Sequence, residues 1–133
     1  MNTTTLETVW APRLLSILRI VAALIFMAHG TQKILGFPSS GGALPAAFSL
    51  PWIAGMLELF GGALLILGLF VRPVAFILSG LMAAAYWMAH APRSPFPVLN
   101  NGDAAILYCF VFLFLVAAGG GIWSLDNTLR KSR

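Results

Sequence analysis

Four apolar segments, each long enough to cross the hydrocarbon core of a bilayer as a helix, constrain this chain more than any other feature. A helix needs about 20 predominantly apolar residues for that crossing. Residues 14–35, 51–71, 73–91 and 103–123 each satisfy it. Only 9% of the chain is charged, against about 25% in ordinary soluble domains. So little charge cannot cover a water-facing surface, and lipid is the expected solvent for most of the molecule. The reading is a single-domain (residues 1–133), all-α membrane protein: an antiparallel bundle of four transmembrane helices.

The ends of the segments support this division. Pro51 and Pro73 open the second and third, where the missing N–H of a first-turn proline costs nothing. Asp103 is the expected N-terminal cap of the fourth. Residues 36–50 hold Pro38, Ser39, Ser40, Gly41 and Gly42 and read as a flexible loop. Only Arg72 separates the second and third segments, so these should form a tight antiparallel pair. Residues 91–102 hold Pro92, Pro95 and Pro97 and then Asn100-Asn101-Gly102, which argues against a helix. Phe96, Val98 and Leu99 in that stretch suit the membrane interface. No cleaved leader is expected, because the first apolar run passes into His29-Gly30-Thr31-Gln32-Lys33 rather than a small-residue cleavage site.

Cations set the expected orientation. Arg13, Arg72, Arg130, Lys131 and Arg133 fall on one side, with Arg19 snorkelling toward it; Lys33 and Arg93 fall on the other. Both termini are therefore expected in the cytoplasm. The net charge of +4 comes largely from the tail and forms no patch suited to nucleic acid. The lone Cys109 excludes an internal disulfide, and no metal-ligand spacing is present.

Depth is the most informative property of the polar residues. With the outer ends of the four segments aligned, Glu58 lies seven residues below Pro51 and His29 seven below Gly36. Both are about 10 Å beneath the outer boundary. Lys33, His90 and Asp103 lie nearer the mouth, and Tyr86, Tyr108 and Cys109 a little deeper. On the first helix Ala22, Phe26, His29 and Lys33 share a stripe; on the second Gly55, Glu58 and Gly62; on the third Gly80, Ala83, Trp87 and His90. The fourth presents either Tyr108 or Cys109. Glycines at such spacing allow close helix approach, so Glu58 should face protein and meet His29 or Lys33. A charge deep in lipid costs about 3 kcal/mol or more unless paired, hydrated or neutralised. Two readings of the cluster stand side by side: a structural clamp between two helices, or a proton or ligand site. His90 reads most simply as an interfacial hydrogen bonder and Cys109 as a small core residue.

Three motifs in order and at the right spacing resemble the DoxX family. His29-Gly30-Thr31-Gln32-Lys33 is similar to its H-G-x-Q-K signature. Glu58-Leu59-Phe60-Gly61-Gly62, running on through Gly68 to Arg72, is similar to its E-x-x-G-G block. His90, followed by Asn101-Gly102-Asp103 and Leu107-Tyr108, is similar to the segment leading into its last helix, with Asp103 standing where Glu is expected.

The resemblance implies a bacterial inner-membrane protein tied to redox physiology, a polar set including His29, Gln32, Lys33, Glu58 and Asp103, and no settled catalytic mechanism. The expected function is a non-catalytic subunit serving a membrane or periplasmic redox partner, with an outer-leaflet pocket of His29, Gln32, Lys33, Glu58, His90, Asp103 and Tyr108. No cofactor is evident in the residues; quinone is the candidate ligand, its carbonyl held by Lys33 and His29 with Glu58 setting their protonation. The rival readings are a quinone-linked oxidoreductase subunit, for which the sequence offers no cysteine pair and no haem ligands to carry electrons, a small-solute or proton transporter, which four short helices would require to oligomerise, and a pure scaffold.

Overall fold

A computed structural model describes residues 2–132. It is all-helical. Helix α1 (Ala11–Leu35) continues upstream without a break through a π-type turn (Leu6–Trp10) and a first turn (Thr3–Thr5). Helix α2 spans Leu50–Leu67. Helix α3 (Val71–Ala85) runs on through a π-type turn (Tyr86–His90) and a 3-10 turn (Ala91–Arg93). Helix α4 spans Asp103–Ala118 and the short α5 spans Leu125–Lys131. Three continuous helical stretches, Thr3–Leu35, Leu50–Leu67 and Val71–Arg93, are long and apolar enough to cross a membrane; α4 is apolar but has 16 residues.

Local chemistry explains the boundaries. The Ser49 hydroxyl accepts the Trp52 N–H to cap α2, with Pro51 in its first turn. Gly68 ends α2 at φ 71°, letting Leu69 N–H reach the Leu64 carbonyl, a Schellman closure. That stop shortens the second helix relative to the expected 51–71. Residues 68–70 therefore link α2 to α3, and Arg72 lies inside α3 rather than between the helices. The fourth helix stops at Ala118, short of the expected residue 123, because Gly119 and Gly121 turn to φ 81° and 76°. Residues 91–102 contain two short helical turns, the 3-10 turn Ala91–Arg93 and Pro97–Asn100, where no helix was expected. Gly102 occupies the cap position of α4, and Asp103 is its first helical residue rather than its cap.

Helix α1 packs along α2, and α3 along α4, while α1 and α4 touch sparingly. The core joins the two pairs through Phe26, Leu65, Leu78, Phe112 and Leu115. Phe26 packs edge-on to Phe112 at 4.8 Å between centroids. Close approach of α1 and α2 rests on glycine. A Cβ on Gly30 would lie 2.4 Å from the Leu59 nitrogen, and one on Gly62 would lie 2.8 Å from the Met27 Cβ. The outward surfaces are apolar, with Leu14, Ile17, Leu18, Val21, Leu24 and Ile25 of α1 all exposed, as a lipid-facing helix requires.

On α3 the inward stripe is Val71, Ala75, Leu78 and Met82. The expected stripe is instead at the margin or outside: a Cβ on Gly80 would meet nothing within 4 Å, and Trp87 is 72% exposed. The bulky apolar residues at spacings of four, three and four outweigh the small ones in choosing the buried face.

Arg19 does not snorkel. It is fully buried, and its guanidinium donates to four backbone carbonyls: Leu65 and Ile66 at the end of α2, and Gly120 and Trp123 beyond α4. Arg72 likewise donates to the Val116 and Ala117 carbonyls at 2.6 and 2.8 Å. Each guanidinium thus meets carbonyls at the C-terminal end of a helix, α2 for Arg19 and α4 for Arg72, where the helix dipole is negative, and Arg19 adds two carbonyls of the segment after α4. In the opposite sense, both Asp126 oxygens accept N–H groups at the start of α3, from Phe70 and Val71, each at 2.8 Å. The segment after α4 thereby binds α1, α2 and α3 at one end of the bundle, the end that carries both chain termini. Arg133, one of the cations expected at this end, lies outside the described residues.

Candidate functional site

At the other end of the bundle the last turns of α1 meet the first turns of α2. The Lys33 Nζ lies 2.6 Å from the Glu58 Oε1. The lysine side chain keeps 32% of its surface accessible, whereas the glutamate side chain keeps 4%. Glycine makes this meeting possible: a Cβ on Gly55 would fall 2.8 Å from the Lys33 Cβ, and Gly30 lies against the Glu58–Leu59 backbone. Among the described residues the second Glu58 oxygen, Oε2, is buried without a hydrogen-bond partner. Buried carboxylate oxygens normally find donors, so this one is an acceptor left open.

Lys33 also lines a cavity of about 170 Å³ under the loop that follows α1, together with Gln32, Gly36, Ser39, Ser40 and Leu44. The Gln32 amide donates to the Pro38 carbonyl at 3.2 Å and holds that loop over the helix end. The cavity is below the roughly 300–1,000 Å³ of common ligand pockets.

The expected contact between Glu58 and the α1 stripe is therefore made by Lys33, not by His29. His29 is exposed. Its helix buries Arg19, Ala22, Ala23, Phe26 and Gly30, and at 100° per residue the centre of that face lies about 80° from His29. The stripe is turned toward Gly30, where α2 comes nearest.

The other expected members stand apart from the pair. His90 Nδ1 is 3.0 Å from the Asn100 carbonyl oxygen, and its ring stacks on Tyr86 at 6.5 Å. Asn100, wholly buried, donates to the Ser94 carbonyl and accepts the Gly102 N–H, fixing the loop ahead of α4. Asp103 is exposed in the first turn of α4. Tyr108 packs on Phe26 and Phe112 at 5.2 and 5.6 Å. Cys109 faces α3, its carbonyl accepting the Ser79 hydroxyl at 2.8 Å, so Tyr108 and Cys109 both turn inward, toward different neighbours. Among the described residues no three His, Cys, Asp or Glu side chains gather to hold a metal ion.

Sequence reasoning missed the polar network at the opposite end. Its signals were present: Ser124 followed by Asp126 announces a helix N-terminus, Arg130 and Lys131 suit its last turn, and three successive glycines mark the break before it.

Proteins of known sequence resemble the chain along most of its length. An uncharacterized protein of Haemophilus influenzae is 44% identical over 127 residues, covering 92% of this chain and 95% of that protein. The inner membrane protein YphA of Escherichia coli is 33% identical, covering 87% of this chain and 90% of that protein. An uncharacterized membrane protein of Mycobacterium tuberculosis is 28% identical, covering 86% and 80%. No solved structure matches the chain. The DoxX family model matches residues 14–91, the part that holds α1, α2, α3 and the Lys33–Glu58 pair. This multi-pass inner-membrane protein belongs to the DoxX family.

Proposed function

We propose that the chain is a non-catalytic membrane subunit of a quinone-linked redox system, with Lys33 and Glu58 as its ligand-binding element. The half-exposed lysine offers its remaining N–H groups to a carbonyl oxygen entering from the loop cavity. Glu58 holds the ammonium in place, and its second oxygen stays open as an acceptor. His29, exposed on the bundle surface, stays outside this element. The reading rests chiefly on the Glu58 carboxyl: an acid 3% exposed, engaged through one oxygen only, costs more than an apolar residue of similar size would. A bare clamp would gain by satisfying both oxygens.

The same proposal fixes the topology. Helix α4 serves as the fourth span, and both termini lie in the cytoplasm. Arg13, Arg19, Arg72, Arg130 and Lys131 then sit at the inner face, and Lys33 and Arg93 at the outer, in keeping with the excess of cations on the cytoplasmic side.

Titration of the detergent-purified protein with a short-chain benzoquinone tests the site. Binding should weaken about tenfold in Glu58→Gln, the equivalent of one charge-assisted hydrogen bond, and remain unchanged in His29→Ala. Equal affinity in wild type and Glu58→Gln, or no binding by wild type, would refute it.

A further inference from the structure

The bonds that tie the last segment to the bundle also fix where α5 lies. The Asp126 N–H donates to the carbonyl of Gly68, the residue that ends α2, at 2.9 Å. The Asp126 carboxylate takes the Phe70 and Val71 N–H groups at the start of α3. Ser124, whose hydroxyl accepts the Asn127 N–H to cap α5, presses on the same turn: a Cβ on Gly68 would fall 2.5 Å from the Ser124 Cβ. Helix α2 and the stretch that α3 opens are both long and apolar enough to cross a membrane. The first turn of α5 is therefore held level with the ends of two membrane-spanning helices.

Beyond that tie α5 is amphipathic. Leu125 and Leu129 are four residues apart, hence on one face, and both are exposed, as is Trp123 just ahead of them. Leu67 and Phe70, on either side of Gly68, are exposed as well. At 100° per residue Arg130 and Lys131 stand about 120° and 140° to either side of the leucine stripe, and both are exposed. Asp126 is the one acid of α5, and both its oxygens are spent on α3, so the two cations have no carboxylate on their own helix free to pair with them.

We infer that α5 lies flat in the interfacial zone of the surrounding bilayer, with Leu125, Leu129 and Trp123 in the upper acyl region and Arg130 and Lys131 among the lipid phosphates. The tie to α2 and α3 supplies the level. The leucine stripe needs an apolar cover, and tryptophan is a residue that collects where hydrocarbon meets water. The two unpaired cations complement a phosphate layer, which their long stems reach from a helix seated among acyl chains.

Fluorescence quenching in vesicles tests this placement. The full chain, with Cys109→Ala, receives one new cysteine, Leu129→Cys or Lys131→Cys. Cys109 bonds α3 through its carbonyl, which alanine keeps, and both new positions are exposed. Each variant is labelled with a polarity-sensitive nitrobenzoxadiazole and reconstituted in phosphatidylethanolamine–phosphatidylglycerol vesicles, with and without lipid spin-labelled near the top of its acyl chain. An interfacial helix buries its apolar face about 5–10 Å into the headgroup–acyl boundary. The label at 129 should therefore emit to the blue of the label at 131 and lose most of its intensity to the spin-labelled lipid, while the label at 131 keeps most of its own. Leu125→Cys should behave as Leu129→Cys. Equal quenching at 129 and 131, the mark of a helix standing in water or of labels that insert by themselves, would overturn the assignment. So would blue-shifted emission at 129 that the spin-labelled lipid leaves untouched, the mark of a face covered by another protein or a second copy.

Discussion

Replacing Arg19 with methionine is the most searching test of how the bundle is held. Methionine keeps most of the apolar stem and deletes the guanidinium. The four carbonyls it serves, on Leu65, Ile66, Gly120 and Trp123, then lose their donor. A buried polar group left without a partner costs about 1–3 kcal/mol. These carbonyls lie near the end of the bundle, where water entering the vacated space can replace part of the loss, so the low end applies. The Leu65 carbonyl keeps the Gly68 N–H at 3.1 Å, so three groups at about 1 kcal/mol each give about 3 kcal/mol, a large share of the 5–15 kcal/mol that holds typical folds together. Arg19→Lys keeps the charge but not the planar fork; with three donors that cannot match all four acceptors, it should lose about half as much. Equilibrium unfolding in mixed micelles, followed by tryptophan fluorescence, measures both. Trp123 lies in the segment that Arg19 ties down, so its signal should change first. If Arg19→Met unfolds within about 1 kcal/mol of wild type, the guanidinium is not the tie described above.

Gly30→Ala should cost several kcal/mol and weaken the Lys33–Glu58 contact, because its Cβ would overlap the α2 backbone at 2.4 Å; thermal denaturation in detergent reads this, and an unchanged melting temperature would be inconsistent with it. Gly80→Ala should instead gain up to about 1 kcal/mol, since its Cβ meets nothing within 4 Å; a loss would show that α3 is more crowded there than the fold implies. Lys33→Met should destabilise by about 3 kcal/mol, because it strands a buried carboxylate, and Lys33→Met with Glu58→Gln should recover most of that; a double variant no better than the single one would contradict the pairing. Asp126→Ala should cost about 1–2 kcal/mol through the two N–H groups it leaves at the start of α3, measured in the same unfolding assay.

The helices were legible because their apolar length and their stop signals are local properties. Proline at the start of α2 and the run of glycines after α4 stand in the sequence, although the left-handed turns at Gly68 and Gly119 cut two helices shorter than hydropathy alone suggests. The Lys33–Glu58 contact was legible for a different reason. Depth counting places Glu58 level with His29 and Lys33 one turn nearer the mouth, within reach of a long side chain, and glycines beside Glu58 mark the packed face. What could not be read was rotation. His29 and Lys33 share a stripe in an ideal helix, and only the seating of Gly30 on α2 decides that one turns in and the other out. The same holds for Arg19, whose partners lie 46 to 104 residues away in the chain, and whose burial depends on a return segment that hydropathy does not flag.

That return segment has a consequence for how the molecule is made. Two of the acceptors for Arg19 become available as soon as α2 has been synthesised, but Gly120 and Trp123 emerge only after every longer helix has left the ribosome. Until then a half-satisfied cation waits at the edge of the nascent bundle. The chain is consequently locked from its far end, and a polypeptide released before residue 119 would leave the Arg19 guanidinium without the acceptors at Gly120 and Trp123.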